Sequence, residues 1–532
     1  MNRKINKHCR IASPNQWVLI LLLALTGGEC LSQDRDWQKL TEQGNKLRDK
    51  GQFAEAEKVL LSALTEAQKS GLEGSRLATD QNNLAALYHA QARYGEAEAL
   101  YQKALGFWES SGSPDPMQTS IVLNNLADVH LLCGRYSEAE PLYRRALALR
   151  TSLLGPEHQG VTKILINLAE LFRAQGRYAQ AIDQGQQALR VLEKSACQDD
   201  PRIAYCLYSL GEDSRSMGRF KEAELYCLRA LAIREKLLDP ADPALAASFY
   251  SLGELYRDQG RYADAEGPAK RALDIREEAL GESHPEVAAS LNSLALIRRN
   301  QGRNSEAERL YRRSLAILEN AYGPAHPGIV VVLNNLALTV RASGMPIDPE
   351  PLYLRALSIC EKNLDAGHPL TADVLNSLAV FYYEHSLYGK VEPLFLRAIS
   401  ISEQAAGPEN TQLATYLNNL ANLYIKKHQY SKSEFLCRRA LAIREGRLGP
   451  EHPLVAQSLM TQAELCRGQK QYGQADALYA RAELIQEKSL GPSHPTIYNT
   501  LREWALLLRQ AHRKEEAIQL EARAEIIQTT SR

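Results

Sequence analysis

A chain of 532 residues is too long for one ordinary hydrophobic core, since such cores stop growing near ~250–300 residues, so it has to divide or repeat. With Leu and Ala dominant, 7% aromatic residues and 24% charged ones, the composition suits amphipathic helices and argues against a sheet protein. Lys plus Arg, 63, cancels Asp plus Glu, 63, which leaves no net field to draw phosphate backbones and argues against nucleic acid as a partner.

The first element in chain order differs from everything after it. Basic residues Arg3, Lys4, Lys7 and Arg10 precede an apolar run from Trp17 to Leu25 and then the small residues Thr26, Gly27 and Gly28, the order of a secretory signal. That run is about half of the ~20 residues a helix needs to cross a bilayer. Residues 1–32 are therefore read as a signal, and export to a bacterial periplasm or beyond is expected, with no strong membrane anchor after cleavage. An uncleaved tether is the alternative. Glu29 before Cys30 argues against a lipid-modified cysteine. Nine cysteines in an exported protein would ordinarily suggest disulfides. Here they are scattered without C-x-x-C pairs, which favours buried free thiols, and Cys206 with Cys227 is the pair to test for a bridge.

Residues 36–528 repeat, and 529–532 read as a frayed end. Leu84, Leu126, Leu168, Leu210, Leu252, Leu294, Leu336, Leu378 and Leu420 follow one another at intervals of 42. A Gly-Arg-Tyr/Phe turn keeps the same beat at Gly134, Gly176, Gly218 and Gly260. Within one unit Leu123, Leu126, Ala127 and His130 fall on one stripe of a helix, which ends at Gly134. Tyr136 then covers the gap to a second helix whose inner stripe is Ala139, Tyr143, Ala146 and Leu147, small where two helix axes cross closely. Pro141 and Pro393 come early in their second helices, where a backbone N–H has no intrahelical partner to lose. Between units a Gly-Pro-x-His-Pro loop stops one helix and starts the next, as at Gly449 to Pro453 and Gly491 to Pro495. The eighth unit breaks the pattern: Met345-Pro346-Ile347-Asp348-Pro349-Glu350-Pro351 delays its second helix and marks a weak point or hinge. The units around Phe53 and Trp504 diverge as terminal caps should.

These motifs, L-x-x-L-A/G-x-x-Y, then G-R-Y-x-E-A-E-x-L-Y-x-R-A-L, then G-P-x-H-P, resemble the kinesin light chain type of tetratricopeptide repeat from about Trp37 to the C-terminus. Kinesin light chains carry a heptad coiled coil ahead of the repeats, and this chain has the signal-like segment there instead. The resemblance implies an all-α, right-handed α-α superhelix (solenoid) of about twelve repeats, with the first helix of each lining a concave groove. It also implies a protein-interaction scaffold rather than an enzyme.

In that groove one column holds Asn82, Asn124, Asn292, Asn334, Asn376 and Asn418, interrupted by Ile166, Tyr208 and Tyr250. In similar repeats such an Asn grips the backbone of an extended peptide with its paired donor and acceptor. The alternative is a hydrogen bond between helices, but a column of six favours peptide contact for at least two. A second column carries Arg173, Arg215, Arg257, Arg299, Arg341 and Arg467, and Glu170, Glu212, Glu254 and Glu464 stand three residues before four of them. At Arg299 and Arg341 no Glu precedes, which leaves those guanidinium groups for a carboxylate and points to an acidic ligand segment. The apolar middle divides the groove, so one binding platform becomes two.

His158, His284, His326, His368, His452 and His494 occupy the same loop in successive units, a periodic capping role and not a metal cluster. With no strand-to-helix context for a catalytic motif, neither an active site nor a cofactor is expected. The expected partners are proteins or peptides. A self-assembling or envelope-associated spacer is the competing reading, and a regulatory subunit of an enzyme complex a remote one.

Overall fold

The computed structural model describes residues 37–49, 52–69, 74–110, 115–195, 199–343, 348–364 and 367–530. The signal-like segment, Cys30, and Met345, Pro346 and Ile347 of the broken turn lie outside them. Among the described residues there are no strands, and twenty-four helices follow one another in twelve pairs, from a first helix over 37–49 to a last one at Lys514–Thr530. The chain is thus an all-α solenoid, in two compact units that end and begin at Leu171 and Phe172.

Local chemistry sets each helix limit. The residue between the two helices of a repeat adopts a left-handed conformation, at Gly134, Gly176, Gly218, Gly260 and Gly302 with φ from 68° to 76°. Ala92, Ser386, His428, Lys470 and His512 hold the same conformation at φ near 60° without that freedom. Each loop histidine caps a first helix. The Nδ1 atoms of His158, His284, His326, His368, His452 and His494 accept the backbone N–H two residues on, at 3.0–3.2 Å. Asp200, Asp242 and Asn410 do the same with oxygen.

The alanine seams form one layer of the core, beside buried leucines such as Leu123, Leu291 and Leu375. Ala97, Ala139, Ala181, Ala223, Ala265 and Ala307, one per repeat, are wholly buried where second helices meet their neighbours. Two expectations change here. Pro141 and Pro393 are the sixth residues of helices Tyr136–Leu154 and Tyr388–Ala406, beyond the four N–H groups that a helix start leaves free. Each therefore removes one intrahelical bond, and packing carries the helix through. The described cysteines Cys133, Cys206, Cys227, Cys360, Cys437 and Cys466 are free thiols, so Cys206 and Cys227 form no bridge. Burial pushes their thiols up to about 12 and about 11. In the eighth repeat the second helix does start late, running only Glu350–Asn363 with Pro349 as its cap.

Candidate functional site

The first helices carry a column of acidic residues that explains which polar groups are satisfied. It runs, 42 residues apart, through Asp128, Glu170, Glu212, Glu254, Leu296, Leu338, Val380, Asn422 and Glu464. Where a carboxylate stands there, buried donors converge on it. The Tyr143 hydroxyl donates to Asp128, and the Tyr479 hydroxyl to Glu464. Arg215 pairs with Glu212 at 2.9 Å and with Asp258 of the next repeat at 2.6 Å, while Arg257 pairs with Glu254 at 2.7 Å. Arg173 instead meets Asp213 of the following repeat, and Arg467 meets Glu464.

Repeats seven and eight keep the donors and lose the acceptor. Leu296 and Leu338 replace the carboxylate, yet Tyr311 and Tyr353 are wholly buried in the positions of Tyr143 and Tyr479, and among the described residues both hydroxyls lack a hydrogen-bond partner. Thr339 stands beside the Tyr311 hydroxyl without hydrogen-bonding geometry and donates its own proton to the Asn335 carbonyl at 2.8 Å. Arg299 is half-buried, makes no ion pair among the described residues, and has a buried Nη1 without a partner. The position that supplies Asp258 to Arg215 supplies only Ala342 to Arg299. Arg341 is not wholly free: Glu384 stands 3.4 Å from its Nε, and its Nη1 is buried without a partner. Burial pushes the Tyr311 and Tyr353 phenols up to about 12. At Tyr311 the guanidinium groups of Arg299 and Arg257 pull the other way against Glu254, and at Tyr353 those of Arg341 and then Arg299 do so against Glu384, so both phenols share the field of Arg299.

The asparagine column is partly spoken for. A second Asn, one residue further on in the next repeat, donates to it: Asn125 to Asn82 at 3.2 Å, Asn167 to Asn124 at 3.0 Å, Asn335 to Asn292 at 3.0 Å and Asn419 to Asn376 at 2.8 Å. These bonds form a ladder between repeats. It skips Asn334 and Asn418, because the next repeats offer Ser377 and Thr461, and the buried Oδ1 atoms of Asn334 and Asn418 have no partner among the described residues. Asn418 donates to Ser458 at 2.9 Å and, like Asn124, is about 5% exposed, so little of either faces outward. In repeats five and six the column residues Tyr208 and Tyr250 lie under the guanidinium groups of Arg234 and Arg276, 4.8 and 5.3 Å from the ring centres.

The column thus splits between the units. Asn82 and Asn124 belong to the first, while Asn292, Asn334, Asn376, Asn418, Tyr208, Tyr250, Arg299 and Arg341 belong to the second. Reading the arginines alone misses Tyr311, Tyr353 and Glu384. The signal that finds the tyrosines is the Asp128 column, followed down the chain to the point where it turns to leucine.

The chain matches the tetratricopeptide repeat family over residues 39–110, 118–194, 203–278, 254–320, 286–348, 374–446 and 411–483. No curated protein matches it in sequence. Among solved structures it is similar to BtubC (BKLC) from P. vanneervenii, at 27% identity over 44% of this chain and 92% of that one, with a TM-score of 0.39. It is also similar to the apo form of RapI, at 13% identity over 69% and 98% of the two chains, TM-score 0.54. The apo form of the quorum sensor NprR from B. thuringiensis gives 14% identity over 69% and 99%, TM-score 0.52. The likeness to RapI and NprR is one of fold.

Proposed function

Because the chain belongs to the tetratricopeptide repeat family of protein-interaction scaffolds, we propose that it holds an extended acidic segment of a partner protein against the first helices of repeats seven and eight. What supports this reading is the set of buried donors at Tyr311, Tyr353, Arg299 and Arg341. A buried donor left unpaired costs about 1–3 kcal/mol, and such groups are rare in native proteins. At Asp128 and Glu464 the chain supplies a carboxylate to the corresponding tyrosine itself, and at Glu212 and Glu254 to an arginine. In repeats seven and eight two carboxylates of a ligand would complete the same arrangement, each taking a guanidinium and a phenol. Asn334 adds an unpaired oxygen for a ligand backbone N–H seven residues, about 10 Å, before Arg341 on the same helix.

The probe for this reading is a fluorescent hexapeptide of alternating Glu and Ala, titrated into the full chain. Arg299→Ala with Arg341→Ala removes the cations, while Leu296→Glu with Leu338→Glu fills the site from within. Each pair is expected to weaken binding at least ~10-fold, with wild-type affinity falling as salt rises. Unchanged binding in both pairs would sink the proposal. Light scattering on the same samples separates it from a self-assembling spacer, which would run as a multimer without any peptide.

We also place this binding outside the cytosol, on the strength of the basic residues and apolar run in 1–32. Mass spectrometry of the N-terminus in the native host checks it, since export with cleavage removes Met1 through about residue 28–32.

A further inference from the structure

In the second unit the chain meets itself after 236 residues. His452, in the loop that opens the eleventh repeat, lies against the turn of the fifth. Its Nδ1 accepts the Leu454 N–H at 3.1 Å, so its proton resides on Nε2, which donates to the Ser216 carbonyl at 3.3 Å. One repeat further along, His494 accepts the Thr496 N–H at 3.2 Å and faces the Asp258 backbone of the sixth repeat in the same way. Leu490 adds an apolar contact, packing on the cluster that holds Phe220 and Tyr256. Cavities of about 620 and 470 Å³ flank the two contacts.

The fit depends on glycine. A Cβ on Gly218 would come within 2.9 Å of His452 and Pro453, and one on Gly260 within 2.4 Å of His494. Gly176 and Gly302 have the same turn and nearly the same φ, and a Cβ on either would meet nothing within 4 Å. The other loop histidines make the same cap in more open surroundings. His452 and His494 are 8% and 7% exposed, whereas His158 and His326 are exposed and His284 and His368 half-buried.

We propose that these paired contacts are a latch, which fastens the turns of repeats five and six to the loops opening repeats eleven and twelve and opens to admit a partner to repeats seven and eight. The admission half of this inference rests on the function proposed above. The closure half does not.

Acid should release the latch. Burial holds both rings down at about 4, from an ordinary value of 6.5. A protonated ring would also lose the Nδ1 lone pair that caps the helix. Arg444 lies behind His452 and further disfavours its charge, while Arg219, Lys221 and Glu222 line the facing turn and Glu451 and Lys488 the near rim. Across from His494 stand Asp258, Arg261 and Asp264, with Arg303 beyond them. Asp258 favours the charged ring but does not outweigh burial. Released rings titrate near 6.5 and latched ones near 4, so closure is complete above 6.5 and weakens as pH falls from there toward 4.

The test uses the full chain, with small-angle X-ray scattering and hydrogen exchange at 216–221 and 448–454. Gly218→Ala with Gly260→Ala drives a wedge into both contacts, and Gly176→Ala with Gly302→Ala imposes the same backbone penalty without a wedge. His452→Asn with His494→Asn keeps the cap, as Asn410 shows, but is too short to reach across. The wedge and Asn pairs are expected to raise the radius of gyration and to speed exchange at both segments about 10-fold. The control pair should do neither, and the wild type should follow the opened variants at pH 5. If wedge and control behave alike, or if the Asn pair leaves radius and exchange unchanged, there is no latch. Association of the Glu-Ala hexapeptide at neutral pH tests admission separately. Faster association in opened variants supports it, and an unchanged rate overturns it while leaving the latch standing. Absence of peptide binding in every variant overturns the function proposal and, with it, admission, whereas the scattering still decides closure.

Discussion

Repeats five and six and repeats seven and eight are built on one 42-residue pattern, and one of the columns where they part holds carboxylates in the first pair and leucines in the second. In the former, Glu212 and Glu254 sit among the arginines, and each charge is answered within the chain. In the latter, Leu296 and Leu338 leave Arg299, Tyr311 and Tyr353 facing no carboxylate of their own repeat, while the helices of repeat seven keep the lengths of those in repeat six and only the second helix of repeat eight starts late. The backbone of a repeat therefore does not need the carboxylate, because it is held by alanine seams and caps. The column is free to vary, and its variation decides which repeats answer their buried donors within the chain.

The strongest way to break this comparison is to remove the same arginine from both sides. Arg215→Ala removes the guanidinium that Glu212 and Asp258 share, leaving them the Ser251 hydroxyl and Arg257, and should destabilise the second unit by about 2 kcal/mol. Arg299→Ala strands no carboxylate and should cost less than about 0.5 kcal/mol. Urea unfolding of the two variants decides it, and equal losses would mean that Arg299 has a partner after all.

The tyrosines give a smaller contrast. Tyr479→Phe removes the hydroxyl that answers Glu464 and should cost about 1–2 kcal/mol, whereas Tyr311→Phe deletes an unpaired buried hydroxyl and should be neutral or slightly stabilising. Leu296→Glu sharpens the point. By restoring the acceptor it should change unfolding by less than about 1 kcal/mol although it buries a carboxyl, while the same change at Leu294, which is 6% exposed and faces no unpaired donor, should cost several-fold more.

The smallest expected effect separates the two units by their response to acid. In the first unit burial raises Asp80 and Asp128 to about 6. A carboxyl raised in the fold takes up its proton more readily folded than unfolded. These two groups therefore add stability below about 4, and that contribution is lost as pH rises through 6. His452 and His494 in the second unit act oppositely over much of the same range. Hydrogen exchange read unit by unit at pH 5 and 7 should show the first unit better protected at pH 5 and the second less so. Asp80→Asn with Asp128→Asn should flatten the first response only.

Much of the fold is legible in the residues, and for a local reason. Gly134 or Gly260 ends a helix because one residue must take a left-handed conformation, and His284 or His494 starts one because its Nδ1 reaches a free N–H two residues on. Pro349 delays the eighth second helix by the same kind of argument. Pro141 shows where such reading stops. Its place near a helix start was legible, but its position beyond the first turn depended on Tyr136 being the first helical residue. The site was legible by halves. The missing Glu before Arg299 lies one helical turn away and can be read directly. Tyr311 lies on the partner helix and Glu384 on the next repeat, and the Asn ladder joins residues 43 apart.

Repeat length, helix limits, alanine seams and caps thus follow from the order of residues, because each depends on interactions within one or two turns of helix and recurs with the period. Which donors remain unanswered, which asparagines spend their oxygens on a neighbour, and where His452 finds Ser216 belong to the tertiary structure alone. Those contacts depend on how one repeat is set against the next. A small rotation at each interface, repeated along the second unit, accumulates until residues 236 apart touch, and no single repeat carries that information.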